Sequence, residues 1–145
     1  MTIKRVRLDH LKEAAHLFNL YRVYYDQKSD MEGAVNFLRE RISNEESVIF
    51  LAYEQEQAVG FTQLYPTFSS VQMKRTWVLN DLFVQEEYRG HGYGEQLVRQ
   101  AIEFADSRDA AGVLLETMPD NVNAQRLYEK IGFKKEENYY YFYKI

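Results

Sequence analysis

Apolar positions recur along this chain with two periods, and the switches between them lay out its elements. Thr2 to Arg7 alternates and predicts a strand. Leu11, Ala14, Ala15, Phe18, Tyr21 and Tyr25 fall three and four apart, the spacing of one helix face, with Asp9 placed to cap it. Ala34, Leu38 and Ile42 mark a second helix behind Asp30. Val48 to Tyr53 is rich in β-formers, residues 54–57 turn the chain, and Val59 to Tyr65 returns as its hairpin partner. A polar loop from Pro66 to Lys74 precedes a long apolar strand, Arg75 to Val84. Leu97, Val98, Ala101, Ile102 and Ala105 restore helical spacing. Gly112 to Thr117 is a continuous apolar run, the pattern of a strand covered on both faces. Asn121 or Asn123 caps a last helix with Ala124, Leu127, Tyr128 and Ile131 on its buried face, and Gly132 ends it. Tyr139 to Tyr143 predicts a final strand, with Phe133 to Lys135 as a further short one.

The predicted order is β-α-α-β-β-β-α-β-α-β. The strand-helix-strand from Leu79 to Thr117 is expected to be a right-handed parallel crossover. The fold expected is α+β: a central, mostly antiparallel sheet with one parallel strand pair and helices on both faces. Its 145 residues suffice for one domain, 1–145, with a core of its own.

Charge and composition narrow the partners. The net charge of −4 argues against broad nucleic-acid affinity. The chain has no Cys, which removes thiolate metal sites and acyl-cysteine chemistry and fits a reducing compartment. No apolar run reaches membrane-spanning length, and Met1 to Arg5 lacks a signal-peptide core, so a cytoplasmic protein is expected.

One stretch carries chemistry. After the strand ending at Val84 come Arg89-Gly90-His91-Gly92-Tyr93-Gly94 and a helix. Glycines there allow positive φ and leave room for a ligand, and free N–H groups at a helix start seat an anion such as a diphosphate. Arg89 adds a charge at the mouth. The loop lacks the Lys-Ser/Thr of a nucleoside-triphosphate loop, and no second dinucleotide half fits in the chain.

A second constellation follows the apolar run ending in Glu116-Thr117. With Asn121, Ala124, Leu127, Tyr128, Gly132 and Phe133, and with Arg89-x-x-Gly92-x-Gly94 before it, the chain resembles the GNAT superfamily of N-acetyltransferases. The resemblance implies an enzyme that moves an acetyl group from acetyl-coenzyme A, as co-substrate, to a primary amine by direct attack in a ternary complex. It implies that the cofactor arm lies along Leu82, Phe83 and Val84 where two parallel strands splay. The diphosphate would sit on residues Arg89, Gly90, His91, Gly92, Tyr93 and Gly94, with Asn121, Ala124 and Tyr128 beside the cofactor. Tyr128 is the expected acid for the leaving thiolate.

Asp81 and Glu116 are both candidate bases, and strand alternation predicts that Asn80 and Asp81 face opposite sides. Glu116 has alternative roles, holding a water or pairing with Arg126. The resemblance implies an acceptor pocket walled by the first two helices and the hairpin before the cofactor strand, here Tyr24, Tyr25, Asp26, Tyr65, Trp77 and Asn80, whose aromatic faces and acid suit a cationic small-molecule or peptide amine. Tyr21 is read as core. The aromatic run Tyr139 to Tyr143 favours burial or a homodimer. No metal is expected. The alternative readings are a non-catalytic acyl-CoA sensor and an interaction module.

Overall fold

The computed structural model describes residues 1–145. Strand β1 (Thr2–Arg5) leads through a 3₁₀ turn into helices α1 (Leu11–Tyr24) and α2 (Met31–Ser43). Then come β2 (Val48–Glu54), β3 (Gln57–Ser69), β4 (Lys74–Val84), α3 (Tyr93–Ser107), β5 (Gly112–Leu114) and α4 (Val122–Ile131). The sheet order is β1-β2-β3-β4-β5, antiparallel except for the parallel β4–β5 pair. One apolar cluster, with Leu17, Leu38, Phe61 and Phe83, lies between the sheet and α1–α2. The other, with Leu64, Trp77, Leu79, Leu97 and Phe104, lies between the sheet and α3. No helix is long and apolar enough to cross a membrane.

Local chemistry explains the boundaries. Asp30 caps α2, accepting from the Gly33 N–H at 2.9 Å. Asp9 does not cap α1. His10 closes that turn instead, its Nδ1 accepting from the Arg7 N–H at 3.1 Å. The loop expected from Pro66 to Lys74 shrinks to residues 70–73, because β3 runs on to Ser69. Pro66 is tolerated there because β2 pairs with β3 only as far as Leu64, leaving Pro66 on an open stretch of strand.

Two departures matter for function. The strand expected over Gly112 to Thr117 pairs only at Gly112–Leu114, and its outer face is open, with Leu114 49 % exposed. The strands expected at Phe133 to Lys135 and Tyr139 to Tyr143 do not form. Residues 134–145 contain no regular element, make no hydrogen bond, and leave Tyr139 and Tyr141 each 89 % exposed. A strand needs a ladder partner, and this segment pairs with none, the outer edge of β5 staying open.

Candidate active site

The site forms where β4 outruns β5. Thr76, Trp77 and Val78 pair with Gly112, Val113 and Leu114, and the pairing stops there. From Leu79 to Val84, β4 keeps β3 on one side and has no strand on the other. The diverging strands leave a wedge whose β4 wall presents unpaired backbone groups.

At the far end of β4 the chain turns through residues 85–92. Gly90 (φ +80°) and Gly92 (φ +86°) are both left-handed, and a Cβ at either would meet nothing within 4 Å. Glycine is needed there for conformation, and the space in front is free. Gly92 precedes the first residue of α3. The N–H groups of residues 90–95 have no partner in the chain, so six donors and the positive end of α3 converge on that space. The Arg89 N–H is not among them, since it donates to the Glu86 carbonyl at 3.2 Å. Nor does Arg89 stand at the mouth. Its Nε donates to the Val84 carbonyl at 2.8 Å, and its guanidinium lies over the rings of Tyr24 and Phe83. It ties the loop to α1. His91 is exposed, with Nδ1 3.2 Å from the Tyr88 carbonyl. Gly94 approaches Leu127 of α4, and Glu95 joins the two helices by accepting from Lys130 at 2.8 Å, which holds its carboxyl below the ordinary range.

A bulge in β4 decides what faces the wedge. Gln63 pairs with Asp81 and Leu64 with Leu79, so Asn80 is the extra residue. Before it, Trp77 and Leu79 point at α3; after it, Asp81 and Phe83 point at α1. This corrects two expectations. Asn80 and Asp81 are not on opposite sides, for Asn80 Nδ2 donates to Asp81 Oδ1 at 2.9 Å. Trp77 is not in the acceptor pocket: it packs on Phe104 at 5.1 Å, on the other face of the sheet.

Asp81 is 3 % exposed. Burial pushes its carboxyl up, against the stabilising hydrogen bonds from Gln63, Asn80 and Tyr21. Gln63 Nε2 donates to Oδ2 at 2.5 Å, while Gln63 Oε1, also buried, has no partner. Tyr21 and Tyr65 flank the carboxylate, and burial with its charge pushes both phenols up. Sequence reasoning missed Gln63 and assigned Tyr21 to the core. Tyr21 does pack on Phe61 and Phe83, yet its hydroxyl serves Asp81.

On the opposite wall, Asn121 caps α4, its Oδ1 accepting from the Ala124 N–H at 3.2 Å. Tyr128 is half-buried against Phe133, its hydroxyl unpaired and its phenol pushed up by burial and by nearby Tyr25. Tyr24 and Tyr25 close the wedge from α1, both more than half exposed, and Asp26 follows in a left-handed turn. Glu116 lies past the end of β5, exposed and in no ion pair, Arg126 included. Thus Asp81, Asn80, Tyr65, Tyr24 and Tyr25 cluster around the β4–α1 side, Tyr128 reaches Tyr25 from α4, and Glu116 and Trp77 stand apart. No three His, Cys, Asp or Glu side chains are grouped to hold a metal ion.

The same architecture occurs in known proteins. The profile of the acetyltransferase (GNAT) family matches residues 11–133. An uncharacterized N-acetyltransferase, YhfO, of Bacillus subtilis (strain 168) is 42% identical over 142 residues, covering 98% of this chain and 95% of its own. A probable acetyltransferase of Haemophilus influenzae is 34% identical over 119 residues, 81% of this chain and 80% of its own. The crystal structure of a probable acetyltransferase superposes with a TM-score of 0.94 at 40% identity, covering 100% of this chain and 98% of that one.

Proposed function

The chain belongs to the acetyltransferase (GNAT) family and is an N-acetyltransferase, and from that membership we propose how its own residues divide the work. The reading rests chiefly on the six open N–H groups of residues 90–95, beside a β4 edge without a strand partner. Both fit coenzyme A: a diphosphate needs converging donors, and an amide-rich arm needs unpaired backbone. Bound there, acetyl-coenzyme A supplies a thioester carbonyl open to attack by an amine.

Residues 90–95 hold the diphosphate through their N–H groups, and the backbone of Leu82, Phe83 and Val84 orients the arm. An N–H of Leu82 or Phe83 polarises the carbonyl as an oxyanion-hole donor. Asn121 and Ala124 fix the start of α4 beside the arm. Asp81 takes the proton that the acceptor ammonium must lose, and its raised affinity for protons brings it nearer the pH where a base works best. Asn80 and Gln63 keep its two oxygens aimed. The Tyr128 hydroxyl, protonated at neutral pH, gives its proton at the position of the leaving sulfur. Glu116 remains a solvated carboxylate.

The acceptor is a cationic primary amine, small-molecule or peptide, seated among Tyr24, Tyr25 and Tyr65 with Asp26 near the rim. The protein works as a cytoplasmic homodimer. Mass detection of products from an amine panel with acetyl-coenzyme A tests the reading: an acetylated primary amine with one thiol released per product is expected. Thermal stabilisation by coenzyme A with no acetylated amine would replace the enzyme by a sensor. Neither stabilisation nor product would remove the cradle.

A further inference from the structure

The end of the sheet remote from the glycine loop gathers positive charge that the chain leaves unanswered. β1 ends there at Arg5, β2 begins at Val48, and β4 enters with Arg75 and Trp77. Helix α3 runs out beside them, with Phe104 in its last turn and Arg108 as its C-cap. Its 15 residues set this place about 20 Å from the loop at its other end. Between these elements lies a cavity of about 620 Å³, the size of a metabolite site. Arg5, Arg7, Arg75 and Arg108 are all in its lining.

None of the four arginines is in an ion pair, in a chain of net charge −4. Glu45 is the one carboxylate of the lining, and it pairs with none of them. Elsewhere Arg22, Arg39, Arg41, Arg89 and Arg99 each donate to an oxygen of the chain. Rings hold the cavity arginines instead. Arg5 and Arg108 lie over Phe104 at 5.1 and 4.9 Å, and Arg75 lies over Trp77 at 5.4 Å and Phe68 at 4.8 Å. A guanidinium over a ring is held by its face and keeps its N–H edge for a bidentate oxyanion. Burial, and then the charges of Arg108 and Arg7, draw the Arg5 guanidinium down from the ordinary arginine range, with only Glu45 acting the other way.

The neutral part of the lining is unsatisfied in the same sense. Trp77 is 6 % exposed, and its Nε1 is buried with no hydrogen-bond partner. The Ser47 Oγ of the same lining is also buried and unpaired. An indole N–H can only donate, and a hydroxyl has a proton to give. Buried donors without acceptors cost free energy that an oxygen-rich ligand recovers.

We propose that this cavity binds a small polyanion, with its oxyanion groups on the arginine edges and on the donors of Trp77 and Ser47. Phosphate esters and polycarboxylates share that chemistry. In an acidic chain, cations gathered around a cavity suit a compact ligand that enters it, not a nucleic-acid backbone spread over a surface. The site does not depend on the acetyl-transfer reading: Trp77 and Phe104 lie on the α3 face of the sheet, and Asp81 on the α1 face.

Trp77 is the chain's one tryptophan, so its indole N–H gives a single proton–nitrogen NMR resonance that reports this cavity and not the glycine loop. Inorganic phosphate and citrate are titrated separately into the full chain at low salt, with sodium chloride at matched ionic strength as the control. A saturable shift of the indole resonance is expected, half complete below about 10 mM for the preferred probe. The tighter of the two assigns the ligand to phosphate esters or to polycarboxylates. Arg5→Gln and Arg108→Gln together, both at exposed positions, should weaken it about tenfold or more while the rest of the spectrum stays that of the folded chain. No saturation with either probe up to about 10 mM, the same shift with chloride, or unchanged affinity in the double variant would overturn the site.

Discussion

The two walls of the wedge are built to different standards. β4 is paired with β3 at ten positions, buries Asp81 and Phe83, and carries a bulge that aims its carboxylate. β5 is paired at three positions, on one side only, and its continuation is bare. The first wall is complete within one chain and holds the groups that need fixed geometry. The second is held from behind by α3, to which Lys130 of α4 is tied through Glu95, so Tyr128 is placed by helix packing and not by a strand ladder. Changes to the β4 wall should therefore act on the reacting groups directly, and changes to the β5–α4 wall through the placement of α4.

The largest effect belongs to the end of β4. Gly92→Asp forces a side chain into a left-handed backbone (φ +86°) and sets a carboxylate among the six donors. Strain of about 1–3 kcal/mol and like-charge repulsion together should weaken coenzyme A binding on the order of 1,000-fold. Gly94→Glu, at ordinary φ, keeps only the charge effect and should lose less. Calorimetric affinity near wild type in Gly92→Asp would detach the loop from the cofactor.

Asp81→Asn probes the same wall with the fold preserved, because Gln63 can turn its unpartnered Oε1 toward the new amide. Turnover should fall about 100-fold if Asp81 is the base, and the acid limb of the kcat/KM profile should vanish. Stability moves the other way. The folded carboxyl binds protons more readily than the unfolded one, so the folded state loses stability as pH rises from the unfolded pKa through the folded one. The Asn variant escapes that loss. Its Tm should match wild type in acid and exceed it increasingly as pH rises through the folded carboxyl's titration. A wild-type pH profile of rate in the variant would hand the base role elsewhere.

Much of this was legible in the sequence, and the failures share a cause. Caps at Asp30 and Asn121, the glycine loop, and the helix faces are local features that a short window reveals. The bulge at Asn80 is not local. It arises from how β4 registers against β3; alternation along β4 alone separates Asn80 from Asp81, whereas the register brings them together and leaves Trp77 on the α3 face. Tyr21 looked like core because it is core on one side; only the tertiary approach of Asp81 gives its hydroxyl a task. The final strand failed for a stronger reason. Its composition specifies a ladder, but residues 139–143 pair with no strand of the sheet, although the outer edge of β5 is open.

Tyr128→Phe moves to the second wall. Its ring packing on Phe133 is kept and only the unpaired hydroxyl is lost, so the fold and cofactor affinity should hold. Turnover should fall about 10- to 100-fold, with the KM for acetyl-coenzyme A little changed. The same variant in a Lys130→Ala chain sharpens the contrast. There the hydroxyl should matter less, because α4 loses its tie to α3, whereas Asp81→Asn should cost as much as before. Equal losses for Tyr128→Phe in both backgrounds would mean that α4 keeps its place without that tie.

The smallest effect tests whether α4 carries its own start. Asn121→Ala removes the acceptor for the Ala124 N–H, a cap worth about 1 kcal/mol. For a chain of this size that lowers Tm by about 2–6 °C. The cap is exposed and lies beside the proposed arm, so coenzyme A should protect the wild type more than the variant, and the difference in Tm should widen as ligand is added. A constant difference would mean that Asn121 serves the helix alone. In that case the β5–α4 wall would touch the cofactor only through Ala124 and Tyr128, and its placement would rest still more heavily on the packing of α4 against α3.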